Sequence, residues 1–260
     1  MLAANAEYDT FVLSFPKCGR TWHRLLVGFY LTTMLNEDPR RALELSYLCS
    51  KAGLKRLQYT HNGSNPTDRL PTTSQIVGSP VLWRDRDVLV LVRDPCDVMV
   101  SAYHHVSKRE FRYDGTLSEF IREPTYGIAK YLTALNRWYQ YRHLAKNFTV
   151  VSYESMHQDP AAALRQILEL IEVTKPDEKL VGLAVNFTSF DKMRGYESEN
   201  YFNAPLMSKQ SDDPDAAKVR IGRVGSSRDV LSPDDLAFID AEIIRLGMPF
   251  DIRTERADTP

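Results

Sequence analysis

Asp9 to Phe15 forms a short apolar run (TFVLSF after the aspartate) that predicts a strand. The turn residues Pro16-Lys17-Cys18-Gly19 follow, and then Trp22, Leu25, Leu26, Phe29 and Tyr30 recur at helical spacing. The chain therefore opens with a strand, a loop and a helix. Asp87 to Val92 (DVLVLV) is apolar without interruption, the pattern of a strand covered by helices on both faces, as in a parallel sheet. Arg93-Asp94-Pro95 ends that strand and sets Pro95 in the first turn of a helix predicted from about Cys96 to Lys108.

Further strands are predicted near Leu54 to Thr60 and at Phe148 to Ser152. Further helices are predicted near Ala129 to Ala145, from Pro160 to about Glu172, and from Leu236 to Leu246. Thr116-Leu117-Ser118-Glu119 has capping-box spacing, and Ser232-Pro233-Asp234-Asp235 places a cap residue, a proline and acids ahead of the last helix. Strands alternate with helices, which predicts one α/β domain over 1–260: three layers, α/β/α, around a central parallel sheet. Between about Gly195 and Gly225 the pattern breaks into polar and turn residues with isolated aromatics, Tyr196, Tyr201 and Phe202. A stretch of that length predicts a lid.

Composition narrows the function classes. Hydrophobic residues at 43% and charged residues at 26% exclude a disordered chain. Lys+Arg 33 against Asp+Glu 34 gives a net charge of -1, so no diffuse basic field exists for nucleic acid or an anionic membrane, and any anion site must be local. The cysteines Cys18, Cys49 and Cys96 are too scattered for a disulfide framework or a metal site, so no metal is expected. The N-terminal MLAANAEYDT lacks the basic and apolar regions of a secretion signal, and no run is long enough to span a membrane. These features predict a soluble, cytoplasmic protein. They leave the oligomeric state open.

The turn after the first strand carries the chemistry. Ser14 to Trp22 combines a strand end, Lys17, a glycine that permits close backbone approach at position 19, and a helix whose free N–H groups face an anion. It is not a Walker A loop, because the lysine precedes the glycine by two positions and no hydroxyl follows the lysine to hold magnesium. A second strand-to-helix junction, Arg93 to His104 (RDPCDVMVSAYH), places Arg93 at a strand end and Ser101 in the following helix. Ligands of open α/β sheets bind at such ends.

Both segments resemble those of the sulfotransferases that use 3′-phosphoadenosine 5′-phosphosulfate (PAPS) and release the bisphosphate PAP. The first resembles that family's 5′-phosphosulfate loop, YPKSGTTW, with Phe15, Cys18 and Arg20 as departures. The second resembles its 3′-phosphate segment. Tyr59-Thr60-His61 aligns with the family's Lys-Thr-His, Tyr153-Glu154-Ser155-Met156 resembles YEDM, and Thr188 to Met193 (TSFDKM) resembles TSFxxM. Arg223-Val224-Gly225 resembles the Arg-Lys-Gly that closes over the 3′-phosphate. The resemblance spans about residues 10 to 230 and implies the family's P-loop-kinase-like fold.

It also implies roles. Lys17 would stabilise the leaving phosphate and His61 would act as general base, without a metal. Lys17, Cys18, Gly19, Arg20 and Thr21 would meet the 5′-phosphosulfate; Arg93, Ser101, Arg223, Val224 and Gly225 the 3′-phosphate; Trp22, Phe190, Tyr153 and Thr188 the adenine. Acceptor-pocket candidates are Tyr59, Trp83, Tyr103, His104, His105, Phe111 and Tyr113. Tyr59 and Val224 replace lysines of the family, and Arg20 or Arg228 is expected to restore the lost charge. The acceptor is expected to be a small-molecule alcohol or phenol, with an amine left open. Two other readings are carried: a nucleotide or small-molecule kinase of related fold, and a non-catalytic adenosine-bisphosphate-binding protein.

Overall fold

The structure is a computed structural model and describes residues 7–64 and 83–252. Its sheet consists of β1 (Thr10–Ser14), β2 (Leu57–Thr60), β3 (Asp87–Val92) and β4 (Asn147–Ser152), all parallel, in the spatial order β2-β1-β3-β4. Every residue of β1 and β3 is buried, as their unbroken apolar runs require. Val12 lies opposite Tyr59 on one side and Leu89 on the other, so the C-terminal ends of β1, β2 and β3 emerge along one edge. From β1 the chain passes first to β2 on one side and then to β3 on the other. The crevice at the end of β1 is thus a topological switch point.

The helices are α1 (Arg20–Met34), α2 (Leu45–Ala52), α3 (Pro95–His104), α4 (Leu117–Arg122), α5 (Ile128–Gln140), α6 (Tyr153–Gln158), α7 (Pro160–Leu170), α8 (Glu178–Phe187), α9 (Phe190–Ser198) and α10 (Pro233–Leu246). They flank the sheet in two groups: α1 packs with α2, α7 and α8, whereas α3 and α5 pack with α4 and α10. Both capping boxes form, at Thr116 and at Ser232. Asp235, the acid of the second box, also accepts from Ser118 Oγ and Arg122 Nη1, each at 2.6 Å, and so pins α10 to α4.

Several boundaries move for local reasons. β2 begins only at Leu57, because Gly53 in the left-handed region (φ 67°) caps α2 and the Leu54 N–H turns back to the Cys49 carbonyl at 2.9 Å. The helix expected through Ala145 stops at Gln140, and a 3-10 turn at Arg142–Leu144 lets the Leu144 carbonyl accept from Asp85 N–H. The helix expected through Lys108 passes after His104 into a π turn, His105–Arg109. The stretch read as a loop from Gly195 begins inside α9. It continues through 3-10 turns at Pro205–Met207 and Pro214–Ala216, with Phe202 and Met207 buried beside Leu25 and Met193. Among the described residues no helix is long and apolar enough to cross a membrane.

Candidate functional site

At the switch point the loop between β1 and α1 has two residues in the left-handed region, Lys17 (φ 75°) and Gly19 (φ 85°). For lysine this conformation is uncommon, and left-handed residues in a turn are the backbone from which anion-binding nests are built. A side chain at Gly19 would begin 2.8 Å from the Tyr153 ring, so only glycine fits between the loop and α6. Lys17 lines a cavity of about 750 Å³, which is within the range of small-molecule sites. Burial, and next the charges of Arg109 and Arg93, pull its ammonium down to about 8.

Arg93, at the end of β3, also lines this cavity. Its guanidinium lies 4.1 Å above the Tyr153 ring, donates to the Lys17 carbonyl at 3.3 Å and pairs with Asp97 at 3.3 Å. The fully buried Asp97 carboxylate further accepts from Gly225 N–H at 2.8 Å and Ser227 N–H at 3.0 Å. One carboxylate thus orients Arg93 and ties down the chain around residue 226. Ser101, two turns of α3 further on, borders the same cavity.

His61 follows β2 on the other side of the Lys17 loop. Its Nδ1 lies 2.7 Å from the Ser14 carbonyl, which has no proton to give, so Nδ1 carries the proton and Nε2 holds the free lone pair. The ring lines the cavity. Burial, followed by the charge of Arg20, holds its pKa down at about 3 and keeps the imidazole neutral.

The segment after α9 supplies the facing wall. Glu197, buried, pairs with Arg109 at 2.9 Å and accepts from the Lys218 and Val219 N–H groups at 2.8 and 2.9 Å. This brings Lys218, Arg220 and Gly222 to the cavity. Gly222 (φ 64°) lies so close to the Phe190 ring that a Cβ would meet it at 2.1 Å. Sequence reasoning missed Arg109, His157, Lys218 and Arg220. An Arg-x-Gly pattern does occur at Arg220-Ile221-Gly222, three positions before the one selected.

That offset bears on the closing loop. The Gly225 N–H is occupied by Asp97, and neither Val224 nor Gly225 lines the cavity. Arg223 borders it, but its side chain is 63% exposed and paired with Asp229, whereas that of Arg220 is 19% exposed. Trp22, Tyr153, Thr188 and Phe190 all line the cavity; Trp22 stands edge-on to Tyr153 and His157, and the Thr188 hydroxyl is taken by the Ala184 carbonyl at 2.9 Å.

Other expected contacts fall elsewhere. Cys18 lies fully buried under the loop, where burial pushes its thiol up to about 12. Tyr59 points away from the cavity and meets His23 Nδ1 at 2.7 Å. Trp83, 1% exposed, is a core residue at the approach to β3. Tyr103 and Tyr113 pack around Phe120 and, with the 74% exposed Phe111, line a separate cavity of about 430 Å³. His104 faces Asp215, with Nδ1 3.7 Å from its carboxylate. Of the acceptor-pocket candidates only His105 lines the main cavity, with Nε2 3.2 Å from Glu110. Among the described residues no group of three or more His, Cys, Asp or Glu is placed to hold a metal ion.

The Sulfotransferase domain family matches residues 7–245. Similar proteins include Sulfotransferase 2A2 of Rattus norvegicus, 25% identical over 78% of this chain and 72% of the relative. Sulfotransferase 1A1 of Mus musculus is 25% identical over 95% of this chain and 88% of the relative. Among solved structures, retinol dehydratase in complex with androsterone and inactive cofactor PAP superposes with a TM-score of 0.66 at 19% identity, covering 95% of this chain and 82% of that one. Mouse sulfotransferase SULT7A1 complexed with PAP gives 0.65 at 17% identity, covering 96% and 90%. The chain belongs to the sulfotransferase family of PAPS-dependent transferases.

Proposed function

We propose that the cavity at the end of β1 binds PAPS and that the protein transfers its sulfuryl group to a hydroxyl of a small-molecule acceptor. The observation that carries this reading is the concentration of cations around one cavity, Lys17, Arg93 and Arg220 foremost, in a chain of net charge -1. Among the described residues no ion pair or hydrogen bond engages the side chain of Lys17. Three buried polar atoms near the loop, Ser14 Oγ, Trp22 Nε1 and Arg93 Nε, are likewise without partners among those residues. Uncompensated buried charge and orphaned polar atoms are costly unless a polyanion completes them. The adenosine bisphosphate seen with the structural neighbours has the charge and size for that task.

Bound there, PAPS would supply an activated sulfuryl group joined to a phosphate leaving group. Lys17 and the N–H groups of the left-handed loop would receive the negative charge that builds on that phosphate, with the Thr21 hydroxyl beside them. Arg93, Ser101 and Arg220 would hold the 3′-phosphate, Arg220 taking the role that the sequence pattern had suggested for Arg223. Trp22 and Phe190 would enclose the adenine. His61 Nε2 would take the acceptor's proton, because the Ser14 carbonyl fixes the tautomer that leaves this nitrogen free. The wall from Pro205 to Gly222 would act as the lid, excluding water from the reacting groups.

Transfer of label from 35S-PAPS to a panel of alcohols, phenols and amines, run with EDTA, tests the reading. Metal-independent formation of a sulfate ester is the expected result. Labelled sulfamates would move the acceptor to the amines, and magnesium-dependent consumption of ATP without sulfuryl transfer would overturn the reading in favour of a kinase.

A further inference from the structure

We propose that the acceptor carries an anionic group beside the hydroxyl that is sulfated, and that Arg20 and Lys218 receive it. This rests on the sulfotransferase reading above and concerns the end of the cavity nearest His61.

The strand order divides the cavity. The Lys17 loop sits at the end of β1; Arg93 lies to one side, after β3, and His61 to the other, after β2. Arg20 belongs to the His61 side: its charged and polar neighbours are Arg24 and Tyr59, and its field falls on His61. Lys218 comes from the opposite wall; burial, and then the charges of Lys17, Arg109 and Arg20, lower its pKa, and its own field reaches His61. Both side chains line the cavity, and both are half-buried.

Charge bookkeeping then isolates them. Asp97 is committed to Arg93, Gly225 and Ser227. Glu197 is committed to Arg109 and to backbone N–H groups, and Glu110 faces His105. Lys17, Arg93 and Arg220 account for the phosphates of the cofactor. Arg20 and Lys218 remain, partnerless among the described residues, in the same cavity as the proposed base. The residue at position 59 does not join them, since Tyr59 turns to His23. A pocket for a neutral, apolar phenol would be lined there mainly by hydrophobic side chains. Here two cations and the His105–Glu110 couple line the same cavity as the proposed base. A planar guanidinium opposite a flexible ammonium suits a carboxylate or a phosphate ester.

The test separates acceptor recognition from cofactor recognition. A metabolite extract is split on an anion exchanger near neutral pH, and the retained and unretained fractions are offered to the protein with 35S-PAPS. Label is expected in a product from the retained fraction. For that acceptor, Arg20→Thr and Lys218→Met should each raise KM by about tenfold or more, the worth of one charge-assisted hydrogen bond, with smaller changes in Kd for PAP. Repeating the assay with retained fractions treated with phosphatase distinguishes a phosphate ester from a carboxylate. Label only in products of the unretained fraction overturns the proposal, as does an anionic acceptor whose KM is unmoved in both variants. Variants that lose PAP affinity but keep acceptor KM would assign the two cations to the cofactor and overturn it too. Transfer from neither fraction by a protein that still binds PAP counts against the acceptor class, whereas failure of the wild type to bind PAP counts against the underlying reading.

Discussion

Replacing His61 with alanine is expected to lower turnover by about 10²- to 10⁴-fold, the range of a positioned general base, while PAP still binds with an affinity near that of wild type. The expectation follows from where the ring sits. Its Nδ1–H is held by the Ser14 carbonyl at 2.7 Å, which fixes one tautomer and leaves Nε2 for the acceptor's proton. Burial and the neighbouring Arg20 hold the pKa down at about 3, so the ring is neutral and ready to accept at any ordinary pH. A bound polyanion would raise that pKa toward the working range, strengthening the base at the moment it is needed. Steady-state kinetics with parallel PAP titration checks the split. Near-normal turnover in this variant would move the base elsewhere, and His105, 3.2 Å from Glu110 in the same cavity, would be next in line.

The Lys17→Met variant is expected to lose about 10²- to 10³-fold in turnover, the usual effect of removing one donor aimed at developing charge, and to lose PAP affinity with it. A pH signature accompanies this change. In the free protein the Lys17 ammonium is pulled down to about 8, by burial first and then by Arg109 and Arg93. A bound anion favours the protonated form, so the lysine contributes to binding fully below about pH 8, and that contribution falls as pH rises through this value. The phosphates of the ligand finish ionising near pH 6, at least as a phosphate monoester does, and add no slope in the window above it. PAP affinity of the wild type should therefore decline above pH 8, and in Lys17→Met that decline should flatten. An unchanged slope in the variant would assign the titration to another group, Lys218 being the first to examine because burial also depresses it.

Much of this was legible in the chain because strong local signals coincide with the site. The unbroken apolar runs at Thr10–Ser14 and Asp87–Val92 could only be central parallel strands, and the site lies at their ends. Lys17, Arg93, Ser101 and His61 are all drawn to one cavity, since each sits within ten residues of a strand end on the same edge of the sheet. What was illegible is governed by tertiary contacts. Nothing local distinguishes Arg220 from Arg223; Asp97 takes the Gly225 N–H, and Arg223 at the cavity's edge turns to Asp229 and is more exposed than Arg220. Lys218 reaches the site only because Glu197, far along the chain from Arg109, anchors its backbone. The aromatic residues expected as acceptor walls lie outside the main cavity for the same reason. Tyr103 and Tyr113 find Phe120, and Trp83 finds the core, because large rings gain most from burial wherever neighbours permit. α8 went unread although Asp177 caps it through the Lys179 and Leu180 N–H groups; an acid just before an apolar run at helical spacing was the available signal.

The central claim is that this cavity recognises an adenosine bisphosphate through a 3′-phosphate as well as a 5′-phosphate. Calorimetric titration of the wild-type protein with PAP and with adenosine 5′-monophosphate, in EDTA, tests it most directly. Arg93, oriented by Asp97 and Tyr153, with Ser101 and Arg220 beside it, should make PAP bind about a hundredfold more tightly, the worth of one or two charge-assisted hydrogen bonds. Equal affinities for the two nucleotides, or binding of neither, would contradict the account.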